Sequence, residues 1–259
     1  MVRQKGWIAD RLRSGHKFKV GNITWKLSGS RISEAEYTNF SRAVYECKLV
    51  DKIKGVSSPA IVKIWMQTKE ETPNSADDRN LDSTSESEEE FQPWQDELDA
   101  LNILNKTYDK KMNSAKVPKE METGFKPFPQ PIGLTVTKQE KNFPVEGGYL
   151  AYLVIEKLPG KCIPSFDFWG GWDKRERDAF RAAFMESAAV IQQLGVENKD
   201  KKMENLLYDE DSKRCYFIDW EAWGYIKVNK PWGSGSLQFA YDMIRDLGPQ
   251  ARDNRWDRS

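Results

Sequence analysis

The segment from Gly195 to Glu221 carries the side chains best suited to chemistry. Asp200 is followed five residues later by Asn205, and Asp219 lies fourteen residues after Asn205. A carboxylate that is held in place can orient a hydroxyl group and accept its proton. Asn and Asp oxygens suit Mg²⁺, whose coordination shell is usually completed by phosphate and water. The spacing therefore indicates a magnesium site next to a group that handles a hydroxyl.

Two predicted elements position this segment. Apolar residues at helical spacing predict a helix over Lys174–Leu194, ended by the glycine that follows it. Two short apolar runs, Asn205–Tyr208 and Arg214–Asp219, flank a polar turn and predict a hairpin. Asp219 ends an apolar run, where a carboxylate is costly unless it has a partner. Asp200 lies in a charged run that a solvated turn would also explain.

The N-terminal half has the composition of a β-sheet. Runs rich in β-branched and aromatic residues, joined by short polar links, predict an antiparallel arrangement. The predicted strands lie within Lys17–Ile32, Arg42–Asp51, Pro59–Met66, Ile132–Lys138 and Tyr149–Lys157. Lys63 interrupts the third run, either as a functional cation or as an edge-strand lysine that favours solubility.

An acidic segment separates the third strand from a predicted helix. Thr68–Glu90 is almost free of apolar residues, which predicts a mobile loop. Apolar residues spaced by three and four predict a helix over Phe91–Lys106, and Glu97 on it is either a functional or a surface residue. A last helix is predicted over Ser236–Leu247.

Composition excludes several classes of site. The chain has 259 residues, three cysteines and one histidine, His16. Multi-histidine metal sites are therefore impossible, and a Ser-His-Asp site would depend on His16 alone. The cysteines form no CxxC pair, so a zinc site or a disulfide framework is not expected, and a reducing, cytoplasmic or nuclear compartment fits better.

Charge and hydropathy give expectations about partners. There are 40 basic and 40 acidic residues, so net charge favours no nucleic-acid partner. Residues 1–26 hold seven basic side chains and one acidic, which predicts a basic N-terminal arm over 1–16. No apolar run approaches the ~20 residues of a membrane span, and the first twenty residues lack the apolar core of a signal peptide.

The order of these motifs resembles the protein-kinase-like superfamily, including its aminoglycoside-phosphotransferase-like branch. The catalytic loop of kinases has Asp, Lys two residues later and Asn five residues later. The matching elements here are Ala60-Ile61-Val62-Lys63, Asp96-Glu97-Leu98, Glu156-Lys157-Leu158-Pro159-Gly160, Asp200 with Lys202 and Asn205, and Asp219-Trp220-Glu221. Each is weak alone, but five in the same order over roughly residues 17–247 are a strong signal.

The resemblance implies an α+β, two-lobed fold and a role for each residue. The N-lobe, 17–157, would be an antiparallel sheet with one helix, and the C-lobe, 158–259, would be short and mostly helical. By this resemblance, Lys63 would pair with Glu97 and hold the ATP phosphates. Asp200, with Lys202, would orient the acceptor hydroxyl and take its proton, and Asn205 and Asp219 would hold Mg²⁺. The backbone at Glu156 and Leu158 would meet adenine.

Several departures from the family pattern bear on activity. No G-x-G-x-x-G lies between the first two predicted strands, where residues 28–33 stand instead, so the backbone cradle for phosphates is in doubt. Asn198 replaces the loop histidine, and Glu221 replaces the glycine of the DFG motif. No A-P-E motif follows Asp219.

Three functional hypotheses follow. The first is a phosphotransferase that uses ATP and Mg²⁺ on a protein or small-molecule hydroxyl acceptor, with nucleotidyl transfer left open. The second is a pseudokinase that acts as an interaction or scaffold module. The third is an unrelated α+β binding protein. Retention of Lys63, Asp200, Asn205 and Asp219 favours the first, whereas the missing glycine loop favours the second.

Overall fold

The chain forms an α+β fold rich in antiparallel strands. The computed structural model describes residues 8, 12–37, 39–51, 53–56, 58–68, 92–162 and 170–226. The predicted acidic loop beyond Thr68 and the predicted helix Ser236–Leu247 lie outside these ranges. Two compact units are formed, one by residues 1–95 and 131–157 and the other by 96–130 and 158–259. Residues 96–130 thus group with the second unit, whereas the sequence analysis placed them in the N-lobe.

The first unit contains a six-stranded antiparallel sheet. Its strands are β1 Lys17–Val20, β2 Ile23–Glu36, β3 Phe40–Leu49, β4 Ala60–Gln67, β5 Pro131–Lys138 and β6 Tyr149–Glu156. Their order in the sheet is β1-β2-β3-β4-β6-β5. The five runs predicted to form strands all do so, and the predicted antiparallel pairing is confirmed.

The core of the first unit follows the periodicity of its strands. In β3, Ala43, Tyr45 and Cys47 alternate with more exposed neighbours, as predicted for a strand with one buried face. The nearly continuous apolar runs of β4 and β6 are buried on both faces. Ile8 and Leu12 are also fully buried in this core, although the sequence analysis assigned residues 1–16 to a basic arm.

Residues 28–33 lie inside β2 rather than between two strands. The pairing of β2 with β3 shifts between Leu27 and Arg31 and again between Arg31 and Ser33. Gly29 has a φ of 87°, a conformation that glycine adopts at little cost and that is typical of a β-bulge. The stretch expected at the position of the phosphate loop is therefore an irregular strand.

Within the described residues, the second unit combines two helices with short strands. The helices are α1 Pro93–Met112, which enters this unit at Asp96, and α2 Lys174–Leu194; 3₁₀ turns cover Lys119–Met121 and Met203–Asn205. The strands are β7 Lys161–Cys162, β8 Val196–Asn198, β9 Leu206–Asp209, β10 Arg214–Phe217 and β11 Trp223–Tyr225. They form a β10-β9-β7 sheet and a β11-β8 pair.

Local signals explain the bounds of both helices. Asp173 and Glu176 form a reciprocal capping box at the start of α2, and Gly195 ends it with a φ of 73°. The predicted bounds of α2 are confirmed. Helix α1 continues six residues beyond its predicted end at Lys106, because Tyr108 is buried one turn after Leu104 and extends the apolar stripe of the helix.

No helix in the described ranges is long and apolar enough to cross a membrane.

Three lysines lie directly opposite one another on the exposed face of the sheet. Lys26 of β2 pairs with Lys17 of β1 on one side and with Lys48 of β3 on the other. All three side chains are exposed. Like charges directly opposite destabilise a sheet.

We expect Lys26→Glu to stabilise the protein, since it replaces two repulsive pairs with two attractive ones. Each cross-strand pair is worth roughly 0.2–1 kcal/mol, and the gain should shrink in high salt. Thermal unfolding at low and high ionic strength measures it. Lys54→Glu, in an exposed turn, is the matched control; an equal effect of both variants would show that the register pairing is irrelevant.

Candidate functional site

The β9–β10 hairpin brings Asn205 and Asp219 to the same end. Asn205 immediately precedes β9, and Asp219 follows β10 by two residues. The backbone N–H of Ile218 donates to the carbonyl oxygen of Asn205 at 2.9 Å, which extends the pairing of the strands by one step. The predicted hairpin is confirmed, and the two candidate metal ligands lie at its open end.

Asp200 lies in the loop between β8 and the 3₁₀ turn that ends at Asn205. Its Oδ2 accepts hydrogen bonds from Asn205 Nδ2 at 3.1 Å and from Lys202 Nζ at 3.0 Å. Asn205 Nδ2 also donates to the Asp200 carbonyl oxygen at 2.8 Å. The Asp200 side chain is 33% exposed. It is therefore an accessible carboxylate held by two donors, which a merely solvated turn does not require.

Asn198 connects this loop to the end of β10. Its Nδ2 donates to the carbonyl oxygens of Asp219 at 2.8 Å and Ile218 at 3.2 Å. Its Oδ1 accepts the backbone N–H of Asp200 at 2.9 Å. A buried amide that satisfies three backbone groups in two loops holds those loops in register.

Asp219 adopts a backbone conformation that L-residues avoid. Its φ is 61°, and among the described residues Lys213 is the other non-glycine with a positive φ. Asp tolerates this region better than most side chains because it is short and polar. The conformation ends β10 at Phe217, two residues before the end of the predicted run. Such residues concentrate at functional sites, where the surrounding structure holds them.

Three carboxylates gather around this turn. Oxygens of Glu97, Asp219 and Glu221 all lie within 4.8 Å of one another. Glu97 is fully buried, and its Oε1 accepts the Trp220 backbone N–H at 3.4 Å. Its burial rules out the surface interpretation of Glu97. Grouped carboxylates repel one another unless a proton or a cation intervenes, and their oxygens are hard ligands of the kind that Mg²⁺ prefers.

Lys63 belongs to the first unit and lies in the interior of its sheet. Strand β4 pairs with β3 on one side and β6 on the other, so Lys63 faces Val44 and Leu153 directly. Only 5% of Lys63 is exposed. The interpretation as an edge-strand lysine is therefore wrong, because neither the position in the sheet nor the exposure fits it. A buried ammonium is costly without partners, which favours a specific role.

The two residues whose backbone is predicted to meet adenine belong to different units. Glu156 ends β6 in the first unit. Leu158 is buried against Phe125 and Tyr216 in the second. Contact of their backbone with adenine stays a prediction, as does the ion pair between Lys63 and Glu97. The second unit does bring Asp200, Lys202 and Asn205 together, and it brings Glu97 next to Asp219.

Cysteine chemistry is not supported at the buried thiols. Burial raises the pKa of the Cys47 thiol to about 12, with a smaller contribution from the Glu46 carboxylate. Burial also raises the pKa of the Cys215 thiol strongly. Both therefore stay protonated at neutral pH and are not nucleophiles. The side chain of Cys215 belongs to the core behind the hairpin.

Sequence reasoning missed the contributions of Asn198 and Glu221. The sequence shows both only as departures from the kinase pattern. Asn198 has no local signal, since it lies in a run of polar residues from Glu197 to Lys202. Glu221 had no signal, because its proximity to Glu97 depends on tertiary packing across 124 positions of the chain.

Comparisons with known proteins give a distant similarity. No family model matches the chain, and no curated protein matches it. Among solved structures, the chain is similar to the kinase PK-1 of the Cydia pomonella granulovirus, with a TM-score of 0.38 and 18% sequence identity. The similarity covers 76% of this chain and 54% of that one, so the chain spans about half the length of the viral kinase. At this TM-score and identity, the similarity indicates no function for this chain.

Removing one carboxylate from the cluster should stabilise the protein when no divalent cation is present. Two unit charges 4.8 Å apart repel by about 3 kcal/mol at an effective dielectric of about 20. We expect Glu221→Gln to raise the Tm by a few degrees in a chelator, and Mg²⁺ to stabilise the wild type more than the variant.

Thermal unfolding with chelator and with Mg²⁺ measures both effects. Glu210→Gln, at the exposed turn of the hairpin, is the control and should keep both the wild-type Tm in chelator and the wild-type stabilisation by Mg²⁺. A Glu221→Gln variant with the same Mg²⁺ response as the wild type would remove Glu221 from any cation site.

Proposed function

We propose that this protein is a kinase-like phosphotransferase that binds ATP with Mg²⁺ and transfers a phosphoryl group to a hydroxyl acceptor. The observation that carries the proposal is the hydrogen-bonded connection of two loops through buried amides, which holds Asp200 and Asp219 in a fixed relation. It supports the roles that the sequence resemblance assigned to these residues. Catalysis of this kind depends on positioning and charge neutralisation more than on covalent chemistry.

Asp200 is the residue proposed to handle the acceptor. Its carboxylate is accessible, and Asn205 and Lys202 both donate to it. These donors set its orientation, so that an incoming hydroxyl meets an oxygen aligned to accept its proton. Lys202 is 63% exposed, so its side chain can reach a bound phosphate or acceptor. As the acceptor oxygen loses its proton to Asp200, it would form a bond to the γ-phosphorus of ATP, while the bond from that phosphorus to the β–γ bridging oxygen breaks and ADP leaves.

Asn205 and Asp219 are the proposed magnesium ligands, and the donor set fits this ion. Asn205 Nδ2 is committed to Asp200, so its Oδ1 is the atom that faces a cation. The Asp219 carboxylate lies within 4.8 Å of the oxygens of two further carboxylates. All of these are oxygen donors. When bound, the metal would neutralise charge on the phosphates.

The other roles rest on the resemblance. Lys63 is proposed to hold the α- and β-phosphates and to pair with Glu97, and the backbone of Glu156 and Leu158 to meet adenine. Burial of both Lys63 and Glu97 supports specific roles, since neither charge is left at the surface.

A second candidate function is nucleotide binding without efficient transfer, as in a pseudokinase that serves as an interaction module. The observation that favours it is the conformation of 28–33, which forms part of β2. The turn between β2 and β3, residues 37–39, contains no glycine. Backbone cradles for phosphate usually require glycine, so the phosphates would be held less completely.

Asp219→Asn should abolish the magnesium-dependent part of nucleotide binding. Asparagine tolerates the positive φ of this position but lacks the anionic oxygen. We expect a loss of at least about tenfold in ATP affinity with Mg²⁺, equivalent to ~1.4 kcal/mol, and little change in the chelated state. Calorimetric titration measures both. Asp211→Asn, in the exposed turn between β9 and β10, is the control, and equal affinities in both variants would contradict the metal role.

Asp200→Asn separates the two candidate functions. In a transferase it should lower kcat by roughly 10²–10⁴ and leave ATP affinity nearly unchanged, because the group serves the acceptor. Autophosphorylation or ATP hydrolysis in both proteins gives the measurement. A basal signal that survives in the variant would come from another source, whereas ATP binding without turnover in the wild type would favour the pseudokinase.

A further inference from the structure

We infer that Asn198 is a positioning residue that fixes the backbone of Asp200 relative to the Asp219 turn. The inference rests on the proposed function for its catalytic meaning and on the hydrogen bonds of Asn198 for its geometry. Asn198 ends β8, is 4% exposed, and is held in that strand by pairing with Trp223. Its side chain is therefore a rigid, buried group between two loops that carry accessible polar residues.

The side-chain amide of Asn198 donates to the Asp219 turn with its nitrogen and accepts from the Asp200 loop with its oxygen. Both Nδ2 hydrogens are directed at backbone carbonyls, those of Asp219 at 2.8 Å and Ile218 at 3.2 Å. The opposite end of the same planar group, Oδ1, accepts the N–H of Asp200 at 2.9 Å. Because the amide is planar and short, a shift of either loop breaks a bond to the other. The two loops therefore move together or lose hydrogen bonds in a buried place.

The bond to the Asp219 carbonyl also acts on the strained backbone of that residue. Asp219 has a φ of 61° and lies two residues beyond the end of β10. Asn198 Nδ2 supplies its carbonyl oxygen with a donor there. Removal of the amide should thus release both the turn at Asp219 and the loop at Asp200, whereas an ordinary structural role would loosen β8 alone.

The chemistry of the position favours an amide over its isosteres. A carboxylate at this position would place one acceptor oxygen against the carbonyls of Ile218 and Asp219, and it would have to be protonated to donate even one bond. Alanine would leave three backbone groups without these partners.

The test compares Asn198→Ala and Asn198→Asp with Asn105→Ala. Asn105 is a matched control in the same unit: its Nδ2 also bridges two carbonyls, those of Leu101 and Pro129, and it lies in helix α1, remote in sequence from both loops. All three full-length variants should unfold at lower temperature than the wild type. Hydrogen exchange followed by mass spectrometry then reports on peptides that cover 199–205 and 218–223.

In Asn198→Ala we expect the hydrogen-exchange rates of both peptides to rise together by about tenfold or more, which corresponds to the loss of one buried hydrogen bond. Asn105→Ala should show no such rise. Faster exchange confined to 196–198, or equal effects of the two variants, would overturn the inference. This readout needs no nucleotide. If the wild type fails to bind Mg²⁺ with ATP, the proposed function fails, and the exchange result still decides whether Asn198 couples the loops.

The second readout is turnover. Below the unfolding temperature of every variant, we expect Asn198→Ala and Asn198→Asp to lower kcat for ATP turnover by about tenfold or more, since the loop of Asp200 loses its connection to the Asp219 turn. Asn105→Ala should keep the wild-type kcat. An unchanged kcat in Asn198→Ala together with wild-type exchange would overturn the positioning role.

Discussion

Buried amides must be hydrogen-bonded, and this requirement organises the polar loops of the second unit. Asn198 and Asn205 are 4% and 6% exposed, so leaving their donors unsatisfied would cost about 1–3 kcal/mol each. Each amide donates to the backbone or carboxylate of a neighbouring loop. The positions of Asp200 and Asp219 are a consequence, because the loops that satisfy the amides are the loops that carry these carboxylates.

Two features of this region oppose stability. Asp219 has a positive φ, which is unfavourable for a residue with a side chain. The oxygens of Glu97, Asp219 and Glu221 lie within 4.8 Å of one another, which concentrates negative charge partly inside the protein. The N–H of Trp220 offsets a part of that charge. Neither feature is needed to build the hairpin, and costs of this kind concentrate where a ligand recovers them.

The sequence predicted elements well and tertiary relations poorly. Helix α2 was predictable to the residue because a capping sequence, an apolar stripe and a glycine agree with one another. The hairpin was predictable from two apolar runs around an acidic turn. The bulge over 28–33 was not, since a single glycine in a polar stretch equally suggests a loop.

In the candidate site, too, the sequence predicts local relations but not tertiary ones. The spacing of Asp200, Asn205 and Asp219 is local, and the structure places Asp200 next to Asn205 and Asn205 next to the Asp219 turn. The burial of Glu97 and its proximity to Glu221 arise from packing between a helix and a turn that are far apart in sequence. Asn198 was visible only as a departure from a motif, because the three backbone partners of its amide leave no sequence pattern.

The exposure of Asp200 supports the functional role that we propose for this network. If the amides served stability alone, the group that they hold would be expected to be buried with them, as in most polar networks of protein cores. Instead the Asp200 side chain is 33% exposed, while Asn205, which binds it, is 6% exposed. The fold thus uses buried hydrogen bonds to hold an accessible carboxylate in one orientation. A reacting group requires such an arrangement, whereas folding of the hairpin does not.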